Sequence, residues 1–534
     1  MFFRLGTATT LLLALDVSAA AGPVDVGALL KETEAAVEKG DDTIDKAGLR
    51  ASLAAIRAKR GDRQQALELL NSAVNLALKV QPKAGPRISR WDQYFLVSHA
   101  IEEEAGLGAV ADALRHAKAL SDLGKNKAPE FGHVARGQAK AGDVAGTWAT
   151  CDRLDAQWSE RKAAALYFVL VAFAEGRRFD AALQTANRIG QIPAKNIEAA
   201  KENRSNRDEA LSMIACEQAT CGKLEEGLQT LERMNGDLTK VWTLQQIAEI
   251  CLKQGDQRGA RKAIRNALPA FVRLKALERR TRWTMAVSLA DVGDVQSALE
   301  TTSKFVEGRA KGYALLAVSI AQAKAGDRAR SAQTFKEGLA VAKSGPLDDG
   351  YSLIDAATKQ AQAGEFDRAL EIARSLAKPQ AVLWQVAVGL AKAGDFRGAL
   401  KIAESIPRDS EMTATGLSEI ATLQTKAKQP LARRTLQRAF EAAMADRDML
   451  ALKDVGLAQL RAGSVESAAD TFREARSEVI RSSYDPAYLV DIAQAQAGGG
   501  DPAGALAWSR SQSSALFKAC GLIGVLQGLT DGPE

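Results

Sequence analysis

Aromatic residues are scarce in this chain, at 5% of 534 residues, and only 13 prolines occur. Strands favour aromatic and β-branched side chains, so the shortage argues against a sandwich or barrel. Few prolines leave long helices uninterrupted. Histidine is nearly absent: His99, His116 and His133 are the full set, which confines imidazole acid–base chemistry to one stretch. No phosphate-cradling glycine loop, C-x-x-C pair, haem-attachment motif or H-E-x-x-H motif occurs. Charge of one sign is lacking too. Lys and Arg total 71 against 65 Asp and Glu, a net +6, which at this length does not mark a nucleic-acid binder. Past the N-terminus no apolar run reaches the roughly 18 residues a membrane span needs. Cys151, Cys216, Cys221, Cys251 and Cys520 do not have the spacing of a disulfide framework. They read as small buried hydrophobes, with Cys216 and Cys251 the one pair placed to bridge adjacent units.

A chain of 534 residues exceeds a single core, which stops growing near roughly 250–300 residues. It must be several globular domains or a stack of small units. The sequence favours the stack. Leu315–Phe335, Leu353–Ala373 and Leu383–Ala403 each place an Ala–Gly pair mid-unit, an acid after the Gly and a small residue five positions beyond it. With the glycine as origin, units centre on Gly61, Gly108, Gly142, Arg177, Gly222, Gly255, Gly293, Gly326, Gly364, Gly394, Ala427, Gly463 and Gly500, about 13 units with a mean period of about 37 residues. Apolar or small residues at −11, −8, −7 and −3, such as Leu383, Val386, Ala387 and Ala391, share one face of a helix. Positions +5, +6 and +9, such as Ala399, Leu400 and Ala403, do the same for a second helix. Glycine ends the first helix in a left-handed conformation without a Cβ penalty. The following Asp62, Asp143, Asp256, Asp294, Asp327, Asp395 and Asp501 are placed to cap the second.

Gly364–Phe366–Ala369 and Gly394–Phe396–Ala399, with Phe335 and Phe472 at the later aromatic position and Ala73, Ala267 and Ala475 at the small one, resemble the tetratricopeptide repeat family in degenerate form. The resemblance covers nearly all of residues 45–510. It implies an all-α chain, a right-handed α-solenoid of about 13 helix-turn-helix repeats, with the first helices lining the concave face.

The expected organisation is a signal peptide over residues 1–21, a polar helical lead-in over 22–44 and N-terminal repeats over 45–190. A linker or extended loop over 191–206, opened by Pro193, precedes central and C-terminal repeats over 207–510 and a capping helix and tail over 511–534. Arg4, the apolar Leu5–Leu15 and small residues before Ala19 or Ala21 predict export to the periplasm or cell exterior. Asn203-Arg204-Ser205 is a glycosylation sequon within the predicted linker.

Chemistry is thin. His99-x-x-Glu102 is the nearest approach to a ligand pair, and without a second pair it predicts neither a metal nor a cofactor; catalysis is not expected. The better candidate is the first-helix face. Trp242, Tyr313 and Tyr351 stand at −13, Trp283 and Trp384 at −10, and Lys59, Lys140, Lys253, Lys324, Lys392 and Arg461 at −2. If these point inward, aromatics with a basic ladder suit an extended protein or peptide of acidic character. The competing explanations are wedging between units for the aromatics and the helix macrodipole for the lysines. The function expected is a non-catalytic binding scaffold, with no nucleic acid partner and no membrane span. The alternatives are a self-assembling envelope component, stacked end to end through the apolar Gly521–Leu529, and an α-helical-toroid enzyme.

Overall fold

The structure, a computed structural model, describes residues 24–41, 43–80, 90–123, 130–153, 159–192, 197–274, 279–344, 350–406 and 412–531. Among these residues there are 28 α-helices and no strand. They run α1 (Val26–Glu38), α2 (Ile44–Lys59), α3 (Arg63–Lys79), α4 (Arg90–Gly106), α5 (Val110–Leu123), α6 (Glu130–Ala141), α7 (Val144–Asp152), α8 (Ser159–Glu175), α9 (Phe179–Gly190), α10 (Ile197–Thr220), α11 (Leu224–Glu232), α12 (Asp237–Lys253), α13 (Gln257–Arg273) and α14 (Arg279–Asp291). They continue α15 (Val295–Phe305), α16 (Gly308–Lys324), α17 (Arg328–Lys343), α18 (Gly350–Gln362), α19 (Phe366–Ala373), α20 (Gln380–Lys392), α21 (Phe396–Glu404), α22 (Thr413–Lys426), α23 (Ala432–Asp446), α24 (Met449–Arg461), α25 (Val465–Arg481), α26 (Ala487–Gly498), α27 (Pro502–Ser511) and α28 (Ala515–Asp531). The stacked helical hairpins implied by the tetratricopeptide resemblance are the architecture present. Two compact units result: Val97–Val382, and the residues up to Leu96 together with those from Leu383 onward.

The hairpins form for the local reasons read from the sequence. Gly394 sits at φ +88°; its N–H reaches Ala391 O at 3.1 Å and the Asp395 N–H reaches Leu390 O at 2.9 Å, satisfying carbonyls the helix end would otherwise leave open. The Asp395 side chain then accepts from Gly398 N at 2.8 Å, and Asp143, Asp256, Asp294, Asp327 and Asp501 cap their helices in the same way. Two details differ. Asp62 makes no cap bond, because Arg57 Nη1 holds its carboxylate at 3.0 Å. The left-handed residue of the α22–α23 turn is Lys428, at φ +53°, not Ala427; the helix runs one residue further, and the Gln429 N–H closes on Gln424 O at 2.8 Å.

The predicted linker is a correction. Residues 197–206 are the first turns of α10, a helix of 24 residues. Two of its polar residues are satisfied internally rather than by solvent. Asn203 is buried and donates to Ile192 O at 3.0 Å, so the sequon's amide is engaged. Buried Asp208 accepts from Asn235 N and, at 2.8 Å, from Gly236 N. The signal-peptide reading falls on residues outside the described set. All five thiols are free, and burial pushes those of Cys151, Cys216 and Cys520 up to about 12, which leaves them protonated small hydrophobes.

Within Val97–Val382, α16 is buried on every side, from Gly312 to Ala323 without a break. Such a helix needs neighbours all round, and α14, α15, α17 and α18 supply them. In the other unit α28 plays a similar part. Its Leu522, Ile523, Val525 and Leu526 share one buried cluster with Leu29, Leu30 and Val37 of α1 and Leu53 and Ile56 of α2. Ion pairs ring the contact: Arg510 to Glu32 at 2.8 Å, Lys518 to Glu32 at 3.7 Å and Lys59 to Asp531 at 2.7 Å. α28 therefore covers the apolar side of the first hairpin, α1 and α2.

Candidate binding face

In Val97–Val382 the first helices of successive hairpins pack side by side in the order α6, α8, α10, α12, α14, α16, α18. Lys359 of α18 even reaches past α16 to Asp291 of α14, at 2.8 Å. The face these helices present begins with a buried charge cluster. Glu102 of α4 is buried, with His133 Nδ1 at 3.9 Å, Arg136 Nη1 at 3.3 Å and Lys140 Nζ all directed to its carboxylate from α6. Burial pushes that carboxyl up, but hydrogen bonds from His133 and Lys140 and the charges of Arg136 and Lys140 outweigh it and hold it at about 2. His99 is not part of this cluster; it is exposed, with Glu103 at 3.9 Å. His116 is buried on Glu104 at 2.8 Å. The His99–Glu102 pair thus does not converge, and no group of three or more metal-ligating side chains occurs among the described residues.

The predicted aromatics divide. Trp242 of α12 is 40% exposed and donates through Nε1 to Thr281 Oγ1 at 3.2 Å. Trp283 is partly buried and meets the ring of Tyr313 edge-on at 6.5 Å between centroids. Tyr313 itself is 8% exposed, a core residue of α16. Trp384, in the other unit, is 2% exposed and belongs to the core of α20 and α22. Its indole lies on Gly416, where a Cβ would come within 2.2 Å of Cε3. Tyr313 and Trp384 are therefore packing residues, not groove residues. Tyr351 has its side chain outside the described set.

The basic ladder is also a correction. Lys253 pairs with Glu249 at 2.9 Å and Lys392 with Glu419 at 2.9 Å. Lys59 pairs with Asp531, and Lys140 with Glu102. Lys324 and Arg461 are exposed. Most of the ladder is neutralised by the protein's own acids, so it offers an acidic partner little.

Beside the exposed Lys324, this face also carries unpaired negative charge. Glu175 at the end of α8 and Glu209 and Glu217 on α10 have no cation among the described residues. Burial raises the carboxyl of Glu217, and the charge of Glu175 adds to the rise. Burial likewise raises Tyr167, with Glu209 beside it. On α8, Phe168 is 40% exposed, with the His133 ring stacked at 6.2 Å and Arg136 at 5.8 Å. The sequence reading missed Phe168 because it stands at −9, one position off the −10 register. Glu175 was in register at −2, where the expected residue was lysine.

No family model matches this chain, and no curated protein does. Solved structures with similar helical repeats include Ton1535 from Thermococcus onnurineus NA1, at 14% identity over 67% of this chain and 99% of that one, with a TM-score of 0.26. Naa15/Naa10 bound to HypK-THB is similar at 14% identity over 92% of this chain and 84% of that one, TM-score 0.29. A monomeric IFIT1 mutant with Gppp-AAAA is similar at 14% identity over 85% and 94%, TM-score 0.21. At these scores the chains do not superpose as wholes, and the architecture rests on the helical pairs described above.

Proposed function

We propose that this chain is a non-catalytic scaffold that binds a protein or peptide segment along the first-helix face of Val97–Val382. The observation that carries the reading is the exposure of Phe168 on α8 and Trp242 on α12, the helices on either side of α10, which carries Glu209 and Glu217, with Glu175 on α8 itself. Exposed aromatics anchor partners through large apolar area. The carboxyl of Glu217, raised by burial and by the charge of Glu175, gains from an incoming cation. The partner that fits is an extended segment with Lys or Arg between apolar side chains, in place of the acidic one the lysines had suggested. A polyanion such as nucleic acid meets repulsion at the same residues. Two of the three histidines are held by buried glutamates, His116 on Glu104 and His133 on Glu102. End-to-end stacking fits less well, because the apolar face of α28 is already covered by α1, α2 and α26. Export of the chain, suggested by its apolar N-terminal segment, belongs to the same proposal; cleavage near Ala19 or Ala21, read by N-terminal sequencing of material recovered from cells, tests it.

Fluorescence anisotropy decides the binding reading. A labelled peptide alternating Lys with Leu is expected to bind the full chain, while a Glu–Leu peptide and a single-stranded oligonucleotide do not. Combining Trp242→Ala with Glu217→Lys should weaken the basic peptide by at least about tenfold with helicity unchanged. Equal binding by that variant, or preference for either anionic probe, overturns the assignment.

A further inference from the structure

A pocket of about 360 Å³ opens where α2 meets α26 and α28, at the small end of the roughly 300–1,000 Å³ typical of ligand sites. It lies in the other unit and carries nothing of the peptide-binding reading. Its apolar wall is Ile56 and Val490, with Ala55 and Ala487. Its polar rim is unevenly satisfied. Asp531 takes Lys59 Nζ at 2.7 Å and Gln494 Nε2 at 3.2 Å, so that carboxylate has its donors. Asp491 of α26, which also lines the pocket, accepts no hydrogen bond among the described residues. Asp491 is exposed at the rim; partial desolvation raises its carboxyl, Lys453 opposes the rise and Asp485 adds to it. Asp45 of α2 is raised in the same way, by burial and by Asp485. The cavity thus pairs a short aliphatic wall with one carboxylate that has no ion pair within contact distance among the described residues, Lys453 acting on it only from further away, and Gln527 also lines the pocket.

We propose that this pocket binds a small primary alkylammonium compound, its cation on Asp491, its aliphatic chain over Ile56 and Val490, and any polar tail on the amides of Gln494 and Gln527. An anion is excluded by Asp491 and by the prior engagement of Lys59. A neutral alcohol of equal length gains the apolar wall but no ion pair. Because the walls come from α2 at one end of the chain and from α26 and α28 at the other, an occupant bridges the two and stabilises their packing by mass action.

The experiment uses the full chain with cadaverine as probe, and 1-pentanol and glutarate as the neutral and anionic comparisons, read by titration calorimetry and by thermal melting. Cadaverine should bind at one site and raise Tm, and neither comparison should. Asp491→Asn should weaken cadaverine at least about tenfold. Ala55→Leu, which fills the pocket and keeps Asp491, should also block binding. A cadaverine response that survives both substitutions is general screening of surface carboxylates and overturns the proposal. So does no response at millimolar cadaverine, or binding of glutarate.

Discussion

The helices α16 and α28 have similar surfaces and opposite histories. Both are apolar on nearly all sides, and both end up buried. α16 is covered by α14, α15, α17 and α18, its neighbours in sequence. α28 is covered partly by α26 and α27, and partly by α1 and α2 from the far end of the chain, with Glu32 and Arg510 separated by 478 residues. In a repeat stack each unit contacts only its neighbours, and terminal units need a polar outer face. The first helix pair does not have one. Leu29, Leu30, Leu53 and Ile56 would stand in water without α28, and each leucine or isoleucine left exposed forfeits about 1.5–3 kcal/mol. The last helix serves here as the missing neighbour of the first.

The sharpest way to break this comparison is to place one charge in each helix. Val318 and Leu522 are both fully buried. Val318→Asp and Leu522→Asp should each cost about 4 kcal/mol or more, since an unpaired charge is left in a core. The damage should differ in kind. Leu522→Asp should free α1 and α2 for early proteolysis and promote self-association through the uncovered leucines, seen by size-exclusion chromatography. Val318→Asp should open the neighbourhood of α14 to α18 instead, with α1 still protected. Identical digestion patterns for the two variants would remove the distinction.

Next in size is the ion cluster that joins neighbouring hairpins. The carboxyl of Glu102 falls from 4.5 to about 2, so its charged form contributes about 3 kcal/mol to folding at neutral pH. The sign follows from the depressed value: the contribution is present above about pH 4.5 and is lost as the pH falls toward 2. Glu102→Gln should therefore lower stability at pH 7 and flatten the acid limb of the unfolding profile, measured by denaturant titration across pH. An unaltered acid limb would mean that His133, Arg136 and Lys140 do not act through this carboxylate.

A third test addresses the turns common to both regions. Gly326 has φ +87° and open space around its missing Cβ. Gly326→Val therefore probes backbone strain alone and should cost about 1–3 kcal/mol, with Gly326→Ala costing less; an unchanged Tm for the valine variant would refute the left-handed turn.

These turns were legible in the sequence because their physics is local: a left-handed glycine and a capping aspartate act within a few residues. The site was less legible. The −10 position identifies a face of Trp384 but not whether the next helix leaves room there, and Gly416 does leave it. The −2 lysines were visible, whereas the acids that neutralise them, such as Glu419 for Lys392, come from the adjacent helix. The linker over 191–206 was misread because polar Asn203 looked solvated, yet the backbone carbonyl of Ile192 satisfies it. The contact of α28 with α1 had no local signal at all.

The smallest effect is expected where the separation is greatest. Arg510 grips Glu32 through Nε at 3.1 Å and Nη2 at 2.8 Å, and its hydrogen bond, set against burial, lowers the carboxyl. That bidentate geometry is favourable, but Arg510 is half in solvent, where water and salt screen the pair. Glu32→Gln should cost under about 1 kcal/mol, with the loss shrinking further at high salt. It should leave α1 protected from protease, because the apolar cluster beneath holds the ends together. Should Glu32→Gln instead release α1 as fully as Leu522→Asp does, the contact between the two ends would be electrostatic, and the parallel between α28 and α16 would fail.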